Sequence, residues 1–337
     1  MGSLIGCSTQ KVTRVPFHDD GTNQTYLSDS GSDLIRNQIK RGLESVVRLQ
    51  NTVTYRTYRF QGDSLPEKSK IFVSDMDSLA AQSIIESHSN GGTATILSND
   101  NGHSSLFTAS HVVTFPDTIF HYVPGSSHLS ESDQPLEAVS IKESVSHYFY
   151  GSTGVFEFEI LANDPVRDLA VLIYRWGPDG DPGLLPLDIE PGNFDDLDWT
   201  DRIYALGFPR GVRMVTSGMI SKQDGNSRRS FAVDAIFNRG FSGGPIFAVR
   251  TDGSGLDWMG ILTSTSAENE FYLGPDYRNE NEFSLGRPFT GTPVIQQTSR
   301  INYGISFGVD SHQIAEFFDE NESLMRRMRI PIPDFPD

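Results

Sequence analysis

From about residue 45 to about residue 310 the chain is built of short apolar or alternating runs broken by clusters of Gly, Pro, Asn and Asp, a pattern that predicts strands and turns. Ser45-Val46-Val47-Arg48-Leu49-Gln50 through Tyr58 mixes polar with β-branched and aromatic residues, as a half-buried strand does. Leu106-Phe107-Thr108-Ala109-Ser110-His111-Val112-Val113 is an apolar strand that ends in small residues, delivers His111 to the edge of a core, and continues into a second buried pair. Leu169-Ala170-Val171-Leu172-Ile173 predicts a fully buried strand, with Asp168 at its mouth. Asn99-Asp100-Asn101-Gly102 has the composition of a hairpin turn, a better reading than a metal ligand. Helices are expected only at the edges: Leu34 to Leu43, Asp75 to Ser87 capped by Ser74 or Asp75, and a closing helix capped by Ser311 with Ile314, Phe317 and Phe318 inward.

Composition agrees with a turn-rich all-β protein: 31 glycines and 18 prolines in 337 residues, a length sufficient for two packed barrels with extensions. Ser8 to Ser32 is polar and aperiodic and reads as an arm or tether. The Gly, Pro and Asp that crowd Trp176 to Leu197 predict a linker between two folded units. The expected organisation is therefore an arm (1–33), a first barrel (34–175), a linker (176–198), a second barrel (199–310) and a C-terminal helix and tail (311–337). With 27 Lys and Arg against 44 Asp and Glu the formal charge is −17, which disfavours nucleic acid and anionic membranes as partners. A single cysteine, Cys7, excludes an intrachain disulfide.

The chemistry concentrates in Gly240-Phe241-Ser242-Gly243-Gly244-Pro245, a serine hydroxyl between glycines that leave backbone N–H groups free to face a substrate. A serine is a weak nucleophile at neutral pH and needs a base, and that base needs an orienting carboxylate. His111 and Asp168 are the candidates, in that order along the chain; Asp164, followed by proline, reads instead as a turn opener. The same run also satisfies Gly-x-Ser-x-Gly, the nucleophile elbow of α/β-hydrolases, with His312 as the base. Pro245-Ile246-Phe247-Ala248-Val249 continues as a strand where an elbow needs a helix, and no His-Gly-Gly-Gly segment precedes it.

In order, Ala109-Ser110-His111-Val112-Val113, Asp168-Leu169-Ala170-Val171-Leu172 and Gly240-Phe241-Ser242-Gly243-Gly244-Pro245 resemble the three motifs of trypsin-like serine proteases of the bacterial HtrA type. Gly91-Gly92-Thr93-Ala94-Thr95-Ile96, Ala205-Leu206-Gly207-Phe208-Pro209, Val215 to Ser221, Asp234 to Asn238 and Tyr303 to Val309 extend the resemblance over roughly residues 40 to 320. It implies an all-β fold of two six-stranded antiparallel barrels with a C-terminal helix. It also implies a serine endopeptidase in which Ser242 attacks, His111 is base then acid, Asp168 orients the imidazole, and the N–H groups of Gly240 and Ser242 bind the oxyanion. On the same ground Ile236 and Phe237 would sit at the base of the S1 pocket and Ile261, Leu262 and Thr263 would form its wall. No carboxylate stands at that base, so small or medium apolar P1 residues are favoured.

The resemblance implies no metal and no cofactor, protein or peptide substrates, and a possible role in protein quality control; the alternative is a protease fold kept as a binding or chaperone module. PDZ domains, common in the family, have no room in this chain. Where digestive zymogens carry an aspartate before the nucleophile, Phe241 stands, so activation through a new N-terminal ion pair is not expected. The segment 267 to 302 is longer than a β connection needs and is expected to be a surface excursion, or a lid beside the cleft. Leu4-Ile5-Gly6-Cys7-Ser8 resembles a bacterial lipobox, which would put the protein in the cell envelope or periplasm, with lipid on Cys7 as the sole membrane link.

Overall fold

The computed structural model describes residues 33–62, 65–71, 75–123, 130, 132–222, 231–235, 237–275 and 293–336. The expected arm up to residue 32, with Cys7 in it, lies outside the described residues; Asp33, its last residue, already belongs to a helix.

Helix α1 (Asp33–Glu44) leads into strand β1 (Val46–Arg59), whose residues alternate between buried and half-buried along nearly its whole length. That alternation is the two-residue period of a strand with one face on a core. The first lobe continues with two single-turn helices, α2 (Lys68–Ile71) and α3 (Met76–Leu79), strands β2 (Gln82–Asp100) and β3 (His103–Thr108), and the short helix α4 (Ser110–Val113). Strands β4 (Thr118–Tyr122), β5 (Leu136–Tyr150), β6 (Val155–Glu157), β7 (Glu159–Asp164) and β8 (Leu169–Arg175) complete it. They form one antiparallel sheet in the order β4-β5-β1-β2-β3-β8-β7, with β6 added on β5. This lobe is thus an open eight-stranded sheet where six closed strands are expected. β1 pairs with both β2 and β5 over most of its course, and β4 and β6 dock on β5.

The second lobe is the expected closed barrel. Strands β9 (Arg202–Gly207), β10 (Met214–Lys222), β11 (Phe231–Val233), β12 (Pro245–Val249), β13 (Leu256–Pro275) and β14 (Pro293–Asp310) close in the order β10-β11-β14-β13-β12-β9. Helices α5 (Ser311–Glu320) and α6 (Glu322–Met328) follow.

Two local expectations change. The helix expected over Asp75–Ser87 lasts one turn, capped by Asp75, whose side chain accepts from the Asp77 N–H. From Gln82 the chain is strand, because β1 offers a continuous partner from Arg59 to Val46 and the β-branched Ile84 and Ile85 suit a ladder better than a lone helix. The cap of α5 is Asp310, which accepts from Gln313 N–H, while Ser311 Oγ accepts from Phe194 N–H. The excursion at 267–302 begins and ends as a two-stranded ribbon, β13 and β14 pairing from Ala267 with Ile301 out to Pro275 with Pro293; its tip, with Tyr277, Phe283 and Phe289, lies outside the described residues.

The Asn99–Gly102 turn forms as expected: Asn101 and Gly102 have φ of 52° and 81°, the paired positive values of a tight hairpin. The largest core cluster crosses the lobe boundary. Phe107 of β3 packs against Trp258 of β13 and Phe317 and Phe318 of α5, at ring-centroid distances of 6.0, 6.1 and 5.3 Å. Burying each such side chain stabilises by roughly 1.5–3 kcal/mol. The strand that carries the histidine is thereby fixed to the lobe that carries the serine.

Candidate active site

At the end of β3, Ala109 is still extended and Ser110–Val113 makes a single helical turn, so His111 leaves the sheet and faces the cleft with 43% of its side chain exposed. Polar side chains from the sheet hold that turn. Asn51, fully buried in β1, donates from Nδ2 to the Val112 carbonyl at 2.8 Å, and Asn90 of β2 donates to the carbonyls of His111 and Val112. The Oδ1 of Asn51 accepts in turn from His147 Nδ1 at 2.8 Å. Burial, and then the charge of Lys142, hold the His147 imidazole below the ordinary histidine range.

Asp168 occupies the β7–β8 turn with φ of 63°, a left-handed conformation that aspartate tolerates better than most residues. The turn is built by Asp164, whose Oδ1 accepts from the N–H groups of Val166 and Arg167. Burial works to raise the Asp164 carboxyl, but hydrogen bonds from Arg167 and Val166 outweigh it and hold the group below the usual range. Arg167 also forks onto Glu320 of α5, tying the turn to the C-terminal helices. Asp168 spends both carboxylate oxygens on one residue: Oδ1 accepts from the His111 backbone N–H at 2.8 Å, and Oδ2 lies 2.7 Å from Nδ1. Its own carbonyl accepts from Ser110 N–H. A carboxylate facing Nδ1 makes that nitrogen the donor, which leaves Nε2 as the acceptor on the cleft side.

The nucleophile turn follows β11 and leads into β12. Phe241 N–H donates to Asn238, Gly244 N–H to Phe241, and Gly243 N–H to Leu262, whose own N–H returns to Gly244. Among the described residues, the N–H groups of Gly240 and Ser242 enter none of these bonds. Glycine is required at 240, where φ is 109° and a Cβ would lie 2.4 Å from the Phe208 carbonyl oxygen. It is required at 243 as well, where φ is 83° and a Cβ would lie 2.1 Å from Thr108 Oγ1. Ser242 Oγ donates to the Thr263 carbonyl at 3.1 Å, and the Ser242 carbonyl accepts from Thr93 N–H of the first lobe at 2.9 Å.

Phe241 is 2% exposed and meets Phe237 edge-on at 5.2 Å in the second barrel's core. Apolar burial thus anchors the residue before the serine, in place of an ion pair. Of the residues expected at the S1 pocket, Phe237 and Leu262 belong to that core and Ile261 to the inter-lobe cluster. Thr263 presents its carbonyl to Ser242, and Ile236 lies outside the described residues. His312, the base of the rival reading, lies on α5, where its Nε2 is hydrogen-bonded to Oδ1 of Asn193.

Sequence reasoning did not single out Thr93, Asn51 or Asn90. Their signal is a polar side chain inside a stretch whose neighbours are buried, and it becomes specific only once partners from distant strands are known.

Residues 92–254 match a family model described as a trypsin-like peptidase domain. No curated protein matches the chain. Among solved structures, an alanine variant of the HtrA-type protease AlgW with a tripeptide is 18% identical, with a TM-score of 0.43 over 85% of this chain and 62% of that one. The same variant with a decapeptide is 19% identical, with a TM-score of 0.43 over 85% and 67%. The chain therefore spans less than two thirds of the first of these proteins. The family match covers the strand before His111, both residues of the His111–Asp168 pair and the whole turn around Ser242, and over these residues the chain is similar to a trypsin-like peptidase domain.

Proposed function

We propose that the chain is an endopeptidase that cleaves protein substrates through Ser242, His111 and Asp168 by way of an acyl-enzyme. The reading is carried by the pairing of Asp168 with both the backbone and Nδ1 of His111, together with a serine whose turn leaves two N–H groups unspent among the described residues. In the resting state the Ser242 hydroxyl donates to Thr263. For attack it exchanges that acceptor for His111 Nε2, a side-chain rotation that substrate binding completes.

The imidazole then takes the serine proton as Oγ bonds to the scissile carbonyl carbon. The imidazolium, steadied by Asp168, returns the proton to the leaving amine as the C–N bond breaks. Water repeats the sequence on the ester and restores Ser242. The N–H groups of Gly240 and Ser242 receive the negative oxygen in both tetrahedral intermediates, where one such donor is typically worth about 3 kcal/mol. Substrates with small or medium apolar P1 residues in unfolded polypeptides fit the absence of a carboxylate at the expected pocket base.

The second reading is a binding module without turnover, favoured only by the Ser242–Thr263 hydrogen bond. A fluorophosphonate probe separates the two, since it labels a serine only when a base activates it. Labelling that is lost in Ser242→Ala, together with casein cleavage, is expected; an unlabelled wild-type protein that binds casein intact would establish the module.

A further inference from the structure

We infer that Thr93, a residue of the first lobe, is a positioning residue for the oxyanion-binding turn of the second; this rests on the catalytic reading of Ser242. Thr93 lies on β2, immediately after Gly92, and is fully buried. Its hydroxyl makes two bonds into the other lobe: Oγ1 donates to the Gly240 carbonyl at 2.6 Å and accepts from the Phe208 N–H at 2.9 Å. Its backbone makes two more, the N–H to the Ser242 carbonyl at 2.9 Å and the carbonyl from Thr108 Oγ1 at 2.7 Å.

These contacts determine which way the peptide groups around Gly240 face. A peptide unit is planar, so its N–H and C=O point in opposite directions. The Arg239 carbonyl is held by the Arg210 N–H at 3.1 Å, which turns the Gly240 N–H away from the Phe208–Gly211 segment. The next unit is held at both ends, its carbonyl by Thr93 Oγ1 and its N–H, that of Phe241, by Asn238. Gly240 has no side chain to resist rotation, and its φ of 109° is open to glycine alone. The turn therefore depends on outside partners to keep the Gly240 N–H aimed outward.

The Thr93 hydroxyl is the partner that joins the two held segments. By bridging Phe208 N–H to the Gly240 carbonyl, it couples the segment that carries Arg210 to the turn that carries Ser242. Space around it is tight: a Cβ on Gly207 would lie 2.8 Å from Oγ1. A side chain of the same shape without the hydroxyl would leave a part-buried donor and a buried acceptor unpaired, and the Gly240 carbonyl would gain by rotating toward other donors. That rotation swings neighbouring N–H groups out of line, so the cost falls on the transition state, where the donors are used, and little on substrate binding.

The test is Thr93→Val beside Thr93→Ser in the full chain, with the oxyanion-mimicking tetrahedral adduct of a peptidyl boronic acid as the second readout. For Val the expected result is kcat lower by about 10- to 100-fold, somewhat less than loss of an oxyanion donor itself, with KM within about twofold. Boronate affinity should fall in parallel while affinity for the product peptide acid holds. Ser, which keeps the hydroxyl, should restore most of kcat. A purely structural role would lower the melting temperature and all affinities together, without the split.

A folded Thr93→Val protein with kcat within twofold of wild type would overturn the proposal, as would a Ser variant as impaired as Val. If Val does not fold, Thr93→Ala carries the same split. A wild-type protein that neither labels with fluorophosphonate nor cleaves peptide would instead sink the catalytic reading, and this role with it.

Discussion

Asp168 reaches His111 through two side-chain oxygens, whereas Ser242 rides on a turn whose own hydrogen bonds run backbone to backbone. On the first-lobe side each proposed catalytic group is placed by the chemistry of a side chain: a carboxylate accepting twice, an asparagine donating to the Val112 carbonyl, an arginine forked onto a helix. On the second-lobe side placement comes from what is missing, since the glycines at 240 and 243 leave room for carbonyls and hydroxyls from neighbouring strands. A buried Phe241 holds the turn from beneath. The first arrangement should fail when an atom changes in kind, the second also when an atom is added.

The largest effects set the scale for that comparison. Ser242→Ala should lower kcat by about a millionfold, and Asp168→Asn by about ten-thousandfold, because an amide cannot accept from both the His111 N–H and Nδ1. On the proposed mechanism the three groups act as one unit, so Ser242→Ala combined with Asp168→Asn should be no worse than Ser242→Ala alone. Single-turnover kinetics on one peptide would check this; full additivity would show that they do not work together.

A smaller effect is expected from adding one methyl on the other side. Gly240→Ala puts a Cβ against the Phe208 carbonyl in a backbone conformation that alanine avoids, so the turn must move. The expected loss is about 100- to 1,000-fold in kcat with KM little changed, the size of a lost oxyanion donor. Circular dichroism and kinetics together decide it: an unchanged kcat would mean that this N–H is not used.

The smallest effect concerns the support behind His111. His147 donates to Asn51 and its folded-state pKa is depressed, by burial first and by Lys142 second. Above the unfolded histidine value of about 6.5 the group is neutral in both states and its contribution to stability is fully present. As pH falls below that value the unfolded chain binds the proton first, so stability declines until the folded pKa is passed. His147→Gln keeps a donor for Asn51 but cannot titrate. The difference in melting temperature between wild type and this variant should therefore change between pH 7 and pH 5, in the direction of wild-type loss, and a difference constant with pH would exclude the assignment.

Much of the architecture was legible from residue order. Alternation in Ser45–Tyr58, the unbroken apolar run after Asp168 and the Asn-Gly turn each correspond to a strand or hairpin, because burial on one face or two writes a period into the chain. The segment 75–87 was not legible. Its local composition allows a helix, and only the neighbouring β1, whose edge opposite β5 is open to pairing from Arg59 onward, makes strand the better solution. A closed barrel is expected for both lobes but occurs in one: in the first sheet the end strands β4 and β7 do not pair with each other, and no local pattern in the residues marks that.

By itself the sequence determined the all-β class and the candidate nucleophile, base and acid, since each stands in a local setting that its chemistry demands: small residues around the serine, a buried strand before the histidine, another after the aspartate. Only the tertiary structure decided how they are held. The three bonds of Thr93 to the second lobe, the Asn51 link to the His111 turn and the Arg239–Arg210 contact join residues tens to more than a hundred positions apart. A hydrogen bond depends on distance and direction in space, and neither is written in the spacing of residues along a chain.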